Sequence, residues 1–383
     1  MIPYGRQSID AADIEAVVEV LKSDFLTQGP AVPRFEQALA ADCGAAHGVA
    51  ACNATAALHL ACLALGLGPG DILWTSAVTF VASANCGLYC GAEVDFVDID
   101  PKTYNMSVER LSEKLEIAER EGRLPKVLVP VHMTGQSADM RPIAELGRRY
   151  GFRIVEDASH AVGATYGNGP VGDCRYSDIA VFSFHPVKII TTGEGGMAMT
   201  NDAELAAWMA ILRSHGITRD PALLRSKSDG SWYYEQLALG FNYRMTDIQA
   251  ALGYSQLQRL EKLVNRRRDL ARRYDEAFAD LPLTTPWQHP DSRSSFHLYV
   301  IRVDAGIHEA AFAQLRQAGI GVNLHYIPVP RQPYYRDLGF DPADWPEAER
   351  YYAEAISLPL YPDLMEDEQD VVIDAVKDAL GCA

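Results

Sequence analysis

The chain has 383 residues, 48% hydrophobic and 22% charged, the balance of an ordinary soluble globular protein long enough for two lobes. Its 34 Lys and Arg face 51 Asp and Glu, a net charge of −17. That excess argues against nucleic acid or an anionic membrane as a main partner, because phosphate surfaces attract basic ones. It leaves room for a phosphorylated small molecule in a local pocket.

The N-terminus, MIPYGRQSIDAADIE, lacks the basic and apolar regions of a secretion signal. Seven cysteines, odd in number and without a CxxC pair, read as reduced thiols of a cytoplasmic protein rather than a disulfide framework or a zinc ribbon. The first helix is signalled by Ile14, Val17, Val18 and Leu21 behind a cap at Asp10. Residues 55–66 read as a buried helix, too short to cross a membrane. A strand over 71–76 and a helix over 79–90 follow. Residues 93–98, 126–131, 152–156 and 178–184 are apolar, β-branched runs of the kind that make buried parallel strands, separated by helical segments such as 140–150. The rhythm predicts an α/β fold with a mostly parallel central sheet flanked by helices. It changes near residue 245. A long helical stretch over 246–279 leads into a strand at 298–303, a helix near 309–318, a Pro-rich loop at 327–333 and two helices. The expected division is a large α/β domain over 1–245 and a smaller C-terminal α+β domain over 246–383.

Gly167 to Gly172 matches GxGxxG, but Pro170 lies inside it and a strand, not a helix, is expected after it. A β-turn is the better reading than a dinucleotide site.

The chemistry concentrates elsewhere. Lys188 lies just past the end of an apolar strand and is followed by an uncharged run. A lysine there is either a loop anchor or an amine of lowered pKa able to form an imine with an aldehyde. Asp157, at the end of the 152–156 strand, is either a helix cap or a buried carboxylate awaiting a cation such as a pyridinium nitrogen. Asn53-Ala54-Thr55-Ala56-Ala57 opens a helix with small residues, which suits close packing or a phosphate at the helix N-terminus. Ser183 offers that phosphate a hydroxyl, and Phe80 is either core or a platform for a flat ring.

The blocks NATAAL (53–58), TFVASAN (79–85), EDASHAVGATY (156–166), SFHPVKIITTGEGGMAMTND (183–202), RSHG (213–216) and GFNYRMTDIQAALGYSQL (240–257) together resemble the DegT/DnrJ/EryC1/StrS family of sugar aminotransferases over nearly the whole chain. The resemblance implies an aspartate-aminotransferase-type fold with pyridoxal 5′-phosphate (PLP) as cofactor. It implies that Lys188 forms the imine holding the cofactor and shuttles a proton between the donor's Cα and the cofactor's C4′. Asp157 would pair with the pyridinium nitrogen, and His160 would sit near the phenolic oxygen. Phe80 would cover one ring face, while Thr55, Ala56 and Ser183 hold the phosphate. Asn242 would reach the phosphate in a neighbouring subunit, which makes the active unit a homodimer. The family mostly aminates nucleotide-linked keto-sugars with glutamate as donor. The segments FLTQG (25–29), NLHYIP (323–328) and YYAEAISLP (351–359) resemble members that aminate C4 of UDP-4-keto-6-deoxy-N-acetyl-altrosamine in pseudaminic acid biosynthesis. VHMTGQ (131–136) follows the broader family, so UDP, dTDP and GDP sugars all stay open. His325, Tyr326 and Tyr334 are candidates for gripping the sugar nucleotide, or parts of a structural loop. Two other classes are weighed: a non-catalytic PLP or nucleotide-sugar binder, and a metal enzyme using His132, His160, His185 and His215, none of which sit at a familiar ligand spacing.

Overall fold

The computed structural model describes residues 1–382. Its centre is a seven-stranded sheet: β1 (His47–Ala51), β2 (Ile72–Ser76), β3 (Glu93–Val97), β4 (Val127–Val129), β5 (Arg153–Asp157), β6 (Ile179–Ser183) and β7 (Gly196–Thr200). The strands pair in the order β1-β7-β6-β5-β4-β2-β3. All pairs are parallel except those of β7, which runs against both its neighbours. This is the mostly parallel α/β sheet that the sequence rhythm predicts.

Alternate residues of a strand enter different cores, as the two-residue period requires. Ile179 and Val181 join a cluster with Leu58, Ala61 and Met209; Ala180 and Phe182 join another with Phe35, Leu39 and Leu260. Both faces are therefore covered by helices, and the ligand-accessible ground is left at the carboxyl ends of the strands.

Strands β1 and β7 were not anticipated. HGVAA and GMAMT are poor in β-branched residues. Their small size is required by packing: a Cβ on Gly48 would lie 3.0 Å from the Glu36 carbonyl, and one on Gly196 2.5 Å from the Ala54 nitrogen. The GxGxxG look-alike is a hairpin, Thr165–Tyr166 against Gly169–Pro170, with no helix after it.

The helical stretch expected over 246–279 is two helices, Asp247–Leu257 and Leu260–Phe278. Gln258 and Arg259 close the first with short bonds to Ser255 and Gln256 carbonyls, and the chain turns. Beyond it, Tyr299–Arg302 pairs antiparallel with Ala355–Leu358, a strand absent from the sequence reading, over a core containing Tyr274, Phe278, Leu315 and Val372. The chain's own start docks here, since Ile2–Pro3 runs parallel to Ile320–Gly321. In contrast, Val329, Tyr335 and Trp345 join the cluster of Leu73 and Phe96.

Asp10 caps the helix Ala11–Leu21 as expected, accepting from the Asp13 nitrogen. Asp13 itself is fully buried; it accepts from Ser255 Oγ at 2.6 Å, from Gln256 Nε2 at 2.5 Å and from Arg259. Removing the carboxylate leaves the Ser255 hydroxyl and the Gln256 amide without their acceptor and Arg259 with the Asp10 carboxylate alone. Asp13→Ala should therefore destabilise the fold by about 3 kcal/mol, readable as a lower midpoint in urea unfolding.

Candidate active site

Strands β5 and β6 deliver Asp157 and Ser183 to one edge of the sheet. Lys188 follows β6 by one turn, held by a bond from its own N–H to the His185 carbonyl at 2.8 Å. Thr55, Phe80, Asp157, His160, Ser183, Lys188, His325 and Tyr326 all line one cavity of about 570 Å³, within the size range of small-molecule sites.

Asp157 is buried and oriented from both sides. Ser83 Oγ donates to one carboxylate oxygen at 2.6 Å, and the Ser159 N–H donates to the other at 3.1 Å. Thr79 and Ser83 share a further bond of 2.8 Å. A carboxylate accepts up to about four such bonds, so capacity is left toward the cavity. Burial lowers the Lys188 pKa to about 8, while the Asp157 charge pulls it upward. About a tenth of the amine is therefore unprotonated at pH 7, far more than for an ordinary lysine, and this is the form that attacks an aldehyde.

Three imidazoles form the remaining polar wall. His160 Nε2 meets the Tyr326 hydroxyl at 3.1 Å, and its Nδ1 is buried without a partner. Burial, then the Lys188 and His325 charges, hold its pKa well below the usual imidazole range. His297 lies 4.4 Å from it, ring centre to ring centre, and its pKa is lowered by burial, then by His160, Lys188, Arg267 and His325. His325 is lowered to about 3 by burial and by Lys188. Its ring is fixed between the Ser357 hydroxyl at 2.9 Å on Nδ1 and the Asn323 amide at 3.4 Å on Nε2. His325 is therefore a braced wall residue with both nitrogens engaged.

Phe80 precedes the helix Ala82–Tyr89 and is 56% exposed, an aromatic face turned to the cavity beside the Tyr326 ring at 5.9 Å. The helix Ala54–Ala64 supplies an N-terminus. Asn53 caps it by accepting from the Ala56 N–H at 2.8 Å, so Ala56 is engaged and buried; the uncapped first-turn N–H groups belong to Ala54 and Thr55. Gly196 lets that turn approach β7.

Asn242 and Tyr334 do not line the cavity. Asn242 is exposed and bridged to Ser214, and Tyr334 is exposed beside Tyr335. Among the described residues no group of three His, Cys, Asp or Glu is placed to hold a metal. His132 is spent on Glu156 at 2.6 Å, its Nδ1 accepting from the Ala138 N–H. Sequence reasoning missed Ser83, His297 and Tyr4. Ser83 lies in the TFVASAN block one turn past Phe80; His297 carries no local signal, since only the return of the C-terminal segment brings it to His160.

These residues fit PLP. The first-turn N–H groups and Ser183 suit its phosphate, Asp157 its ring nitrogen, Phe80 its ring face and Lys188 its aldehyde. The rate at which PLP attaches to the cofactor-free protein should rise with pH through a midpoint near 8, because only the neutral amine reacts. Asp157 raises the Lys188 pKa, so Asp157→Asn should move that midpoint downward. Stopped-flow absorbance across pH 6–10 checks both signs.

A model of the DegT/DnrJ/EryC1/StrS aminotransferase family matches residues 7–377. The spore coat polysaccharide biosynthesis protein SpsC of Bacillus subtilis (strain 168) is 43% identical, over 98% of this chain and 96% of that protein. Among solved structures, Spr1654 of Streptococcus pneumoniae, described as a sugar aminotransferase and solved in its PLP form, superposes with a TM-score of 0.90 at 32% identity over 99% of this chain and 98% of that one. Helicobacter pylori PseC, an aminotransferase of pseudaminic acid biosynthesis, gives 0.90 at 31% identity over 100% of both chains. The protein is a PLP-dependent sugar aminotransferase, and it belongs to the DegT/DnrJ/EryC1/StrS aminotransferase family.

Proposed function

We propose that the protein moves the amino group of glutamate to the keto carbon of a nucleotide-linked 4-keto-6-deoxy sugar, with UDP-4-keto-6-deoxy-N-acetyl-altrosamine as the first acceptor to try. The observation that carries this reading is the pairing of Lys188 and Asp157 in one cavity, an amine of lowered pKa opposite an oriented carboxylate. Similarity to PseC supports the acceptor. Similarity to SpsC supports any sugar of a surface polysaccharide equally well, so dTDP and GDP sugars are the alternative acceptors.

PLP, when bound, supplies an electron-withdrawing ring that stabilises negative charge on the substrate carbon beside nitrogen. The chain supplies the rest. Lys188 Nζ anchors the aldehyde, yields its place to glutamate and then carries the proton at the reacting carbon. Asp157 holds a proton on the ring nitrogen. Ser183 and the N–H groups of Ala54 and Thr55 hold the phosphate, Phe80 covers a ring face, and His160 stands at the oxygen side. The two substrates use the site in turn: 2-oxoglutarate leaves before the keto-sugar enters.

The working unit we infer is a homodimer. Asn242 is exposed and does not line its own chain's cavity, which leaves it free to reach the neighbour's phosphate. Phe25, Leu26, Trp232, Tyr234 and Leu239 are exposed apolar groups of the kind an interface covers. No helix among the described residues is long and apolar enough to cross a membrane.

The purified protein with PLP should release 2-oxoglutarate from glutamate, and turnover should continue only with the matching keto-sugar in a UDP, dTDP and GDP panel. Lys188→Ala should stay folded and lose turnover by ~10³-fold or more. Full turnover in that variant would overturn the assignment of Lys188, and turnover confined to dTDP or GDP sugars would overturn the UDP acceptor.

A further inference from the structure

Two buried titratable side chains, His132 and Glu156, have no part in the chemistry above, and neither lines the catalytic cavity. Glu156 stands in β5 directly before Asp157. Successive side chains of a strand point to opposite faces, so Glu156 enters the reverse side of the sheet while Asp157 faces the cavity. Main-chain pairing is sparse at this point. β4 and β5 pair in regular register only at Val127 with Arg153 and at Leu128 with Ile154. Then comes Pro130, which has no N–H to donate, and one isolated bridge between Val131 and Asp157. In that bridge the Asp157 N–H donates to the Pro130 carbonyl at 2.9 Å, and the His132 N–H donates to the Asp157 carbonyl at 3.0 Å.

The His132 ring adds a second link to the same dipeptide. Its Nδ1 accepts from the Ala138 N–H at 3.1 Å, so the ring proton is on Nε2, which donates to Glu156 Oε2 at 2.6 Å. Glu156 Oε1 accepts from Ser177 Oγ at 2.5 Å, on the approach to β6. The segment after His132 is itself anchored. The Met133 N–H donates to Asn105 Oδ1 at 2.7 Å, and the Thr134 and Gly135 carbonyls accept from the Leu298 and Ser295 N–H groups. Both ring nitrogens and both carboxylate oxygens of the buried pair therefore have partners, the condition under which a buried polar network stiffens its surroundings.

We propose that His132 is a positioning residue for Asp157: holding the Asp157 carbonyl on the strand edge and Glu156 on the reverse face, it fixes the direction in which the Asp157 carboxylate enters the cavity. With Glu156 gripped between His132 and Ser177, the last turn of backbone in β5 cannot rotate about the strand axis. That rotation is the motion that would swing Asp157 off line. Ser83 and Ser159 act on the carboxylate itself, whereas His132 acts on the backbone that carries it. The role rests on the reading of Asp157 as the partner of the PLP ring nitrogen.

The test measures, by equilibrium dialysis against the full-length protein freed of cofactor, the affinity for two probes. One is PLP. The other is 1-deazapyridoxal 5′-phosphate, which has C–H in place of the ring nitrogen and keeps the aldehyde and the phosphate. Wild type should bind PLP more tightly than the analogue. His132→Phe should weaken PLP about fivefold and bind the analogue no more weakly, because only the contact with the ring nitrogen depends on the aim of Asp157. Ser177→Ala, at the half-buried end of the network, should weaken PLP alone by about twofold, and it carries the test if His132→Phe does not fold. Glu156→Gln offers an oxygen to His132 and an amide N–H to Ser177, so it should keep the wild-type preference. Equal weakening of both probes in His132→Phe would reveal a general packing defect and overturn the role. An unchanged preference in Ser177→Ala would overturn it as well. No preference in wild type would overturn the reading of Asp157 itself, and the role of His132 with it.

Discussion

An amine and a carboxylate are placed at the ends of adjacent buried strands, and most of the local structure exists to make that tolerable. Lys188 is half-buried and Asp157 nearly fully so. Each is costly to hold away from water unless something compensates. For Asp157 the compensation is fixed donors from Ser83 and Ser159. For Lys188 it is partial loss of the proton. The lysine's charge in turn helps keep His160, His297 and His325 neutral, behind the larger effect of burial. Burial, with one cation behind it, therefore keeps a whole wall neutral, and the cavity combines a single movable proton with neutral donors and acceptors around it.

The strongest sequence signals are those in which chemistry and local structure coincide. Lys188, Asp157, Ser183 and Phe80 each sit at a strand end or helix entry that the sequence marks by itself, and all of them line the cavity. Ala56 illustrates a finer limit. Its block was recognised, but the capping bond from Asn53 moves the free N–H groups one and two residues earlier. His297 and Tyr4 were out of reach because their place depends on a segment returning from far along the chain. The strands β1 and β7 were missed for a different reason: their Gly, Ala and Met residues answer to crowding by neighbouring helices, not to intrinsic strand preference. The break at Gln258 and Arg259 was hidden because Arg259 is an ordinary helix former, diverted here toward Asp10 and Asp13.

Relatives of this chain share its fold while their names point to different products, a spore coat polysaccharide for SpsC and pseudaminic acid for PseC. The cavity explains how. The groups that handle the cofactor lie on the sheet and its first two helices, whereas Tyr4, His297, Asn323 and Tyr326 come from the chain's two ends. The second set can vary while the first stays rigid, which is the usual relation between a scaffold and the sites grafted on it.

The pairing of Ile2–Pro3 with Ile320–Gly321 also has a consequence in time. Ile2–Pro3 has no strand to join until Ile320–Gly321 has been made. Tyr4, just beyond that pairing, cannot take its position in the cavity wall earlier. The sheet can assemble during synthesis, but a finished pocket waits for the segment that carries Ile320 to Tyr326. A product cut short before that segment would carry Lys188 without the full enclosure that lowers its pKa.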